Sequence, residues 1–427
     1  MALVLRPRAH RGPVALKRSK VGVLARNRVV HIGRSRWTST SFALGLLAFV
    51  LTLVGLTFVA SASSVSAVRA DDPTWGVVSR QLVFVAVGSM LLVISSLVPY
   101  RIWWAIGPIV FGAAASATMY AALFGVRLNG SRRWIGLPGL LLQPSEFLKF
   151  GSVVMFSILF TNKRTLKVMG TWRFAYRTLA PLLFVALFPI LKQPDMGTAS
   201  IIVFAVAAII VVAGMPWRMV GYAAVITSTV GTIYALTSDY RSARVRTFFD
   251  PSSDPTGEGW HVIQSKLGFA SGRLFGTGIG GSRAKWGWVP NAHTDFVFAV
   301  IGEEVGLIGA SIVVALFLAI AMLGFSVVNN ARDRFGALLA AGITTWVLSQ
   351  AVVNMGTVLG LVPVTGVPMP FVSSGGSSYL VLSIAFGTLI NISRNASVPS
   401  DALDAASRRL QRNERRTRTA VPSNRVR

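Results

Sequence analysis

Residues 41–68 read SFALGLLAFVLTLVGLTFVASASSVSAV, a run with no Asp, Glu, Lys or Arg. At 1.5 Å of helical rise per residue, such a run outlasts the roughly 30 Å hydrocarbon core, which takes about 20 residues to cross. The stretches 81–100 and 102–126 repeat the pattern, interrupted only by Arg101. Over the whole 427-residue chain 53% of residues are hydrophobic and 13% are charged, against about a quarter charged in a soluble domain. The fold class these stretches predict is an all-α polytopic membrane protein. Ten spans are expected, near 42–61, 77–98, 102–124, 146–160, 178–192, 198–213, 219–237, 295–325, 336–358 and 378–393.

The net charge of +27 is distributed in a way that argues against nucleic acid. Ten of the 42 basic residues precede Trp37 and nine lie from Arg394 onward. Arg-rich ends that flank spans face the cytoplasm and anionic lipid headgroups. The chain therefore divides into a basic cytoplasmic tail (1–40), a membrane domain (41–393) with a large outer loop (238–293), and a second basic cytoplasmic tail (394–427). The first 36 residues lack the apolar run of a signal peptide, so they read as a tail. With both ends inside, the inner connections hold Arg101, Lys163, Arg164, Lys167, Arg173, Arg177, Arg218, Arg332 and Arg334, as the positive-inside rule requires. The chain has no cysteine, which excludes disulfides and thiolate metal sites. Its four histidines form no spaced ligand cluster.

Eleven of the fifteen acids then fall on the outer side, together with many bases. Four blocks there have the composition of a site for an anionic substrate. The first is Asn129-Gly-Ser-Arg-Arg-Trp-Ile-Gly136, followed by Gln143-Pro-Ser-Glu-Phe-Leu-Lys149. Arg132 and Arg133 beside an aromatic suit a phosphate. Pro144 and Glu146 suit the first turn of a helix, and Lys149 can pair with Glu146 at i+3. A lysine embedded at a span entrance is costly, and such charges are usually functional. The second block, Lys192-Gln-Pro-Asp-Met-Gly-Thr198, repeats the Gln-Pro element. Gln143 and Gln193 thus mark two helix starts whose positive ends can face one cavity, while Asp195 can equally be an N-cap.

The third block is the loop 238–293, too long for an idle connector. It contains Arg246, Lys285, His293 and the segment Asp250-Pro-Ser-Ser-Asp-Pro-Thr-Gly-Glu-Gly-Trp-His261. Gly276-Thr-Gly-Ile-Gly-Gly281 matches a dinucleotide fingerprint only formally, with no strand ahead of it. Trp286 and Trp288 suit an interfacial belt. Asp295 ends the loop at a polar–apolar boundary, where an acid can be a helix cap or a partly desolvated carboxylate whose raised pKa suits general-base work. Glu303 and Glu304 lie about 12–14 Å deeper if the helix is continuous, which reads as pairing with Arg or Lys. The fourth block is Pro363-Val-Thr-Gly-Val-Pro-Met-Pro-Phe-Val-Ser-Ser-Gly-Gly-Ser-Ser378. Irregular backbone at membrane depth must be buried in protein or line a wet cavity, and Ser373 and Ser377 can meet phosphate or sugar hydroxyls.

In this order the blocks NGSRRWIGL, QPSEFLK, KQPDMGT, DPTGEGWHVIQS, WVPNAHTDFVFAVIGEE and PFVSSGGSS resemble the SEDS family of bacterial shape, elongation, division and sporulation proteins. The resemblance covers about 42–393 and is nearest to the division branch, with the elongation branch as alternative. It implies a ten-helix peptidoglycan glycosyltransferase that polymerises lipid II at the outer leaflet of the inner membrane, with septal placement. It also implies a class B penicillin-binding protein and other division proteins as partners. Asp295 matches the family's essential aspartate, and Glu146 and Lys149 match its conserved pair. Many members have Glu where Asn291 stands and Tyr where Ser374 stands, so neither an acid nor a phenol is indispensable there. The expected chemistry is inverting: Asp295 takes the acceptor's hydroxyl proton, while Arg132, Arg133, Lys149, Arg246 and Lys285 stabilise the pyrophosphate leaving group. A divalent cation, Mg or Mn, can share that role. A lipid II flippase and a non-catalytic scaffold are the rival readings.

Overall fold

The computed structural model describes residues 39–69, 76–128, 131–137, 140–237, 239–253, 257–282 and 294–396. All belong to the unit Trp37–Arg427. The first three spans are α1 (Ser39–Arg69), α2 (Gly76–Leu97) and α3 (Ile102–Phe124). A small antiparallel sheet follows, β1 (Val126–Leu128), β2 (Ser131–Leu137) and β3 (Leu140–Leu142), in the order β1-β2-β3. The sequence reading had placed no strand here. Val126 pairs with Trp134 and Ile135 with Leu142, so the sheet closes the α3–α4 connection at the expected outer end.

α4 (Pro144–Thr161) starts with proline at its first position and Glu146 in its first turn, as the fixed φ of proline and the helix dipole favour. The short α5 (Lys163–Val168) leads to α6 (Trp172–Phe174), a π-helical turn (Ala175–Leu179) and α7 (Ala180–Lys192). These last three run on as one span, Trp172–Lys192, six residues longer at its start than expected. α8 (Met196–Val212) is capped by Asp195, whose carboxylate accepts from Thr198 N at 3.1 Å and Thr198 Oγ1 at 3.0 Å. α9 (Trp217–Leu236) completes the first group.

The loop 238–293 is not irregular throughout: it carries α10 (Asp239–Phe249), a 3-10 turn (Pro251–Ser253) and α11 (Glu258–Gly272). The expected span 295–325 is also two helices, α12 (Val297–Glu304) and α13 (Gly306–Asn330). The break is at Gly306, with φ +70°, a conformation glycine adopts without steric cost. A Cβ there would stand 2.5 Å from Gly276 N. The 273–278 backbone docks into the break through Thr277 N to Glu303 O (2.9 Å) and Leu307 N to Arg273 O (2.9 Å).

α14 (Arg334–Val358) and α15 (Gly376–Arg394) form the core, with 67% and 78% of their apolar windows buried, against 6% for α9. α9 therefore turns nearly all its apolar surface toward lipid. Eight helices among the described residues have the length and apolarity of a membrane span. α8, at 17 residues, is shorter, and α4 carries Glu146 and Lys149. The chain is a multi-pass membrane protein. At the end opposite the sheet, Arg101 and Asp333 pair at 2.9 Å, and Arg334 donates to the Phe160 and Ala213 carbonyls.

Candidate functional site

The connections α3–α4, α7–α8, α9–α12 and α14–α15 meet at the sheet end of the bundle. The first, third and fourth of these border a cavity of about 640 Å³, lined by Arg133, Trp134, Gln143, Arg244, His261, Asp295, Thr365, Gly366, Ser374 and Ser377 among others. Irregular backbone at this depth satisfies the requirement to line a polar space.

Asp295 sits in a turn just ahead of α12, partly exposed to the cavity. Burial pushes its carboxyl up to about 6, against the pull of the Arg133 guanidinium, with Asp195 adding to the rise and Arg244 opposing it. Desolvation disfavours the charged form, and the nearby cations only partly restore it. The group is thus a carboxylate at neutral pH with unusual proton affinity. Gly366, with φ +69°, brings the opposite wall close: a Cβ there would lie 3.6 Å from Asp295 Oδ2.

Arg133 is held by the second Gln-Pro element. Its Nε donates to Gln193 O at 3.3 Å, its Nη2 to Pro194 O at 2.9 Å, and its Nη1 stands 3.6 Å from Asp195 Oδ2. Gln193 and Asp195 are themselves buried. Gln193 donates Nε2 to Thr118 O at 2.8 Å and contributes its carbonyl to Arg133, so both residues act on the cavity through Arg133. Gln143 lines the cavity, and its backbone N–H donates to Ser377 Oγ at 3.1 Å. That bond ties the start of α4 to the start of α15.

Other expected residues are placed elsewhere. Arg132 is exposed and donates to Leu123 O; alternate strand residues face opposite sides, so only one of the arginine pair can enter the cavity. Arg246 is exposed and bonds Ser242 Oγ at 3.1 Å. Two residues earlier on α10, Arg244 lines the cavity instead. The segment is helical where a loop is expected, and residues two apart on a helix point roughly 200° apart, so Arg244 and Arg246 face different ways. Ser373 is buried in the turn, accepting from Met369 N at 2.8 Å; Ser374 and Ser377 reach the cavity in its place. Lys285 and His293 lie outside the described residues, as do Asn291, Trp286 and Trp288.

Glu146 and Lys149 form a 2.9 Å ion pair with both side chains 2% exposed. Their charged ends are behind the cavity wall and do not line it. Lys149 Nζ also donates to Gln350 Oε1 at 3.1 Å, and Gln350 in turn donates to Pro368 O at 2.8 Å. Glu303 accepts from Ser282 at 2.5 Å and Ser271 at 3.4 Å, and Glu304 accepts from Ser61 on α1 at 2.6 Å. Among the described residues, serine hydroxyls are thus partners of both glutamates. His261, stacked on Phe296 with ring centroids 5.6 Å apart, also lines the cavity, a role that no local pattern in the sequence signals.

Among the described residues no group of three or more His, Asp or Glu gathers as a ready metal site. What the cavity offers is one carboxylate of raised proton affinity facing two guanidiniums. Bundle and cavity together define a class: a multi-pass membrane protein with a polar, charge-lined cavity at one end of the bundle. More particularly, the chain belongs to the FtsW/RodA/SpoVE family of cell cycle proteins, whose model matches residues 42–398. It is 34% identical over 351 residues to a probable peptidoglycan glycosyltransferase FtsW of Trichlorobacter lovleyi, covering 82% of this chain and 91% of that one. It is 33% identical to the stage V sporulation protein E of Bacillus subtilis, covering 84% and 98%. A chain of a peptidoglycan synthase complex, solved to show how polymerization and crosslinking are coordinated, superposes with a TM-score of 0.68 at 27% identity, covering 83% and 98%.

Proposed function

We propose that the chain is a peptidoglycan glycosyltransferase that polymerises lipid II at the outer leaflet. The observation that carries this reading is Asp295 facing Arg133 and Arg244 across one cavity. The acceptor's 4-hydroxyl loses its proton to Asp295 as the oxygen attacks C1 of the donor sugar, with inversion. The C1–O bond to the polyprenyl pyrophosphate breaks, and its electron pair leaves with the pyrophosphate. That leaving group needs charge stabilisation more than protonation, so one carboxylate and two guanidiniums are a sufficient set. An inverting glycosidase, which must protonate an alkoxide, needs a second carboxyl group.

A divalent ion, Mg or Mn, would be held mainly by the substrate's own phosphates, because among the described residues no group of three His, Asp or Glu gathers for it and Asp295 serves as the base. It would add positive charge beside the pyrophosphate. Chelation with EDTA followed by graded Mg or Mn addition reads out this requirement directly.

The division branch is favoured over the elongation branch by the FtsW and sporulation relatives. Septal placement, cytoplasmic termini, a class B penicillin-binding protein and other division proteins go with that assignment. Depletion should give filaments, whereas an elongation role predicts rounding. The deciding assay incubates purified chain with lipid II, alone and with a class B transpeptidase, and resolves glycan strands on gels. Strands lost in Asp295→Asn support the reading. Lipid scrambling without strands would replace it with a flippase, and neither activity would leave a scaffold.

A further inference from the structure

Two stretches of irregular backbone face each other across the floor of the cavity: the turn holding Asp295, and the 363–368 segment between α14 and α15. Neither belongs to a helix that fixes it. The link between them comes from one face of α14. Asn354, 1% exposed, donates both hydrogens of its amide, one to Asp295 O at 2.8 Å and the other to Val367 O at 2.8 Å. One turn earlier Gln350, fully buried, donates to Pro368 O at 2.8 Å and accepts from Trp346 Nε1 at 2.8 Å and from Lys149. Nearly one turn later the Thr357 hydroxyl donates to Val353 O at 2.9 Å and only shares that proton with Pro363 O at 3.4 Å.

The amide group makes this a geometric clamp. Its two N–H bonds diverge in one plane, so the carbonyls they meet are held at a fixed separation and angle. Its orientation is set as well: a flip would turn Oδ1 onto two carbonyl oxygens, leaving buried acceptors in opposition. We propose that Asn354 is a positioning residue that fixes the reach of the Asp295 carboxylate by tying its backbone to the cavity wall at Val367. Asn354 does not itself line the cavity. The inference rests on the reading of Asp295 as base, and it extends the machinery to a side chain on the far side of the wall.

The charged and titratable groups around Asp295 are Arg133, Asp195 and Arg244, with His261 lining the same cavity. Losing the clamp lets the carboxylate shift among them, which changes both its reach and its protonation. A misplacement of about 1 Å costs about a hundredfold in turnover. The test uses the purified full chain with lipid II, comparing Asn354→Leu, which keeps the branched outline but removes the donors, and Asn354→Ser, which keeps one donor. The leucine variant should lose about a hundredfold in kcat, keep its KM within about threefold, and show a displaced acidic limb of the pH–rate profile. The serine variant should fall between it and the parent. If the leucine variant does not fold, the serine variant decides by the same readouts. A kcat loss matched by the unfolded fraction, with the pH limb unmoved, overturns the inference and leaves Asn354 a fold residue. Asp295→Asn runs in parallel: if it still polymerises, the base assignment falls, whereas its inactivity beside a normal Asn354→Leu overturns the clamp alone.

Discussion

Glu146 and Lys149 face each other at 2.9 Å on the first turns of α4, both side chains 2% exposed, and the lysine also meets Gln350 and the face of Trp346. The pair is a brace: it links the start of α4 to the face of α14 whose amides hold the cavity wall. Breaking a buried pair by removing one partner leaves an uncompensated charge, at a cost of about 3–5 kcal/mol. Lys149→Ala should therefore lower thermal stability in detergent by about that amount. The double variant Glu146→Gln, Lys149→Met should recover most of it, because no lone charge remains. Equal instability of the double variant would show that packing, and not charge, is what the site requires.

The raised pKa of Asp295, about 6, fixes the sign of a pH effect. The base form is present above that value and is lost as pH falls through it. Initial rates of strand formation should be flat near neutrality and drop by about tenfold per pH unit well below the limb. A limb near pH 4, the range of an unperturbed carboxylate, would show that burial does not act on Asp295 as described.

Arg244 lowers the proton affinity of Asp295. Arg244→Gln should thus move the acidic limb to higher pH, while also reducing turnover through weaker stabilisation of the leaving pyrophosphate. Unchanged limb and rate together would remove Arg244 from the site.

The two arginine pairs can be separated by one experiment. Arg133→Gln and Arg244→Gln take a guanidinium out of the cavity and should cost tenfold or more, about 1.4 kcal/mol of barrier each at the least. Arg132 and Arg246 point elsewhere, so Arg132→Gln and Arg246→Gln should stay within about twofold of the parent. Large losses from the latter two would mean that the cavity closes differently around substrate.

Gly306 and Gly276 mark where the backbone must cross itself. Gly306→Ala would place a Cβ 2.5 Å from Gly276 N at φ +70°, adding strain to a clash. Reduced stability, read by thermal unfolding, is expected at Gly306, with little effect at Gly112, where an added Cβ meets nothing within 4 Å.

How much was legible follows from which signals are local. Hydropathy showed the spans because lipid contact acts on every residue of a segment at once. The Gln-Pro starts, the Asp195 cap and the aspartate at a span entrance are likewise local patterns. The sequence did not show that 295–325 breaks at Gly306, because an apolar run looks the same with or without a bend. Nor did it choose between Arg132 and Arg133, and it pointed to Arg246 where Arg244 lines the cavity, since each choice depends on the face a strand or helix turns inward.

Amino-acid order by itself therefore determined a multi-pass membrane protein and the four blocks that carry its polar chemistry. Those properties depend on composition summed along a segment, which folding does not alter. Tertiary structure decided which members of the blocks meet. It brought Arg133, Arg244 and Asp295 to one cavity, drew Glu146 and Lys149 behind its wall, and set Asn354 against Asp295 from 59 residues away in the chain. Distances of a few ångströms between remote residues arise only when helices pack. The setting of the Asp295 carboxyl, the two guanidiniums near it and the Asn354 amide behind it is accordingly a property of the packed bundle, and not of any one segment.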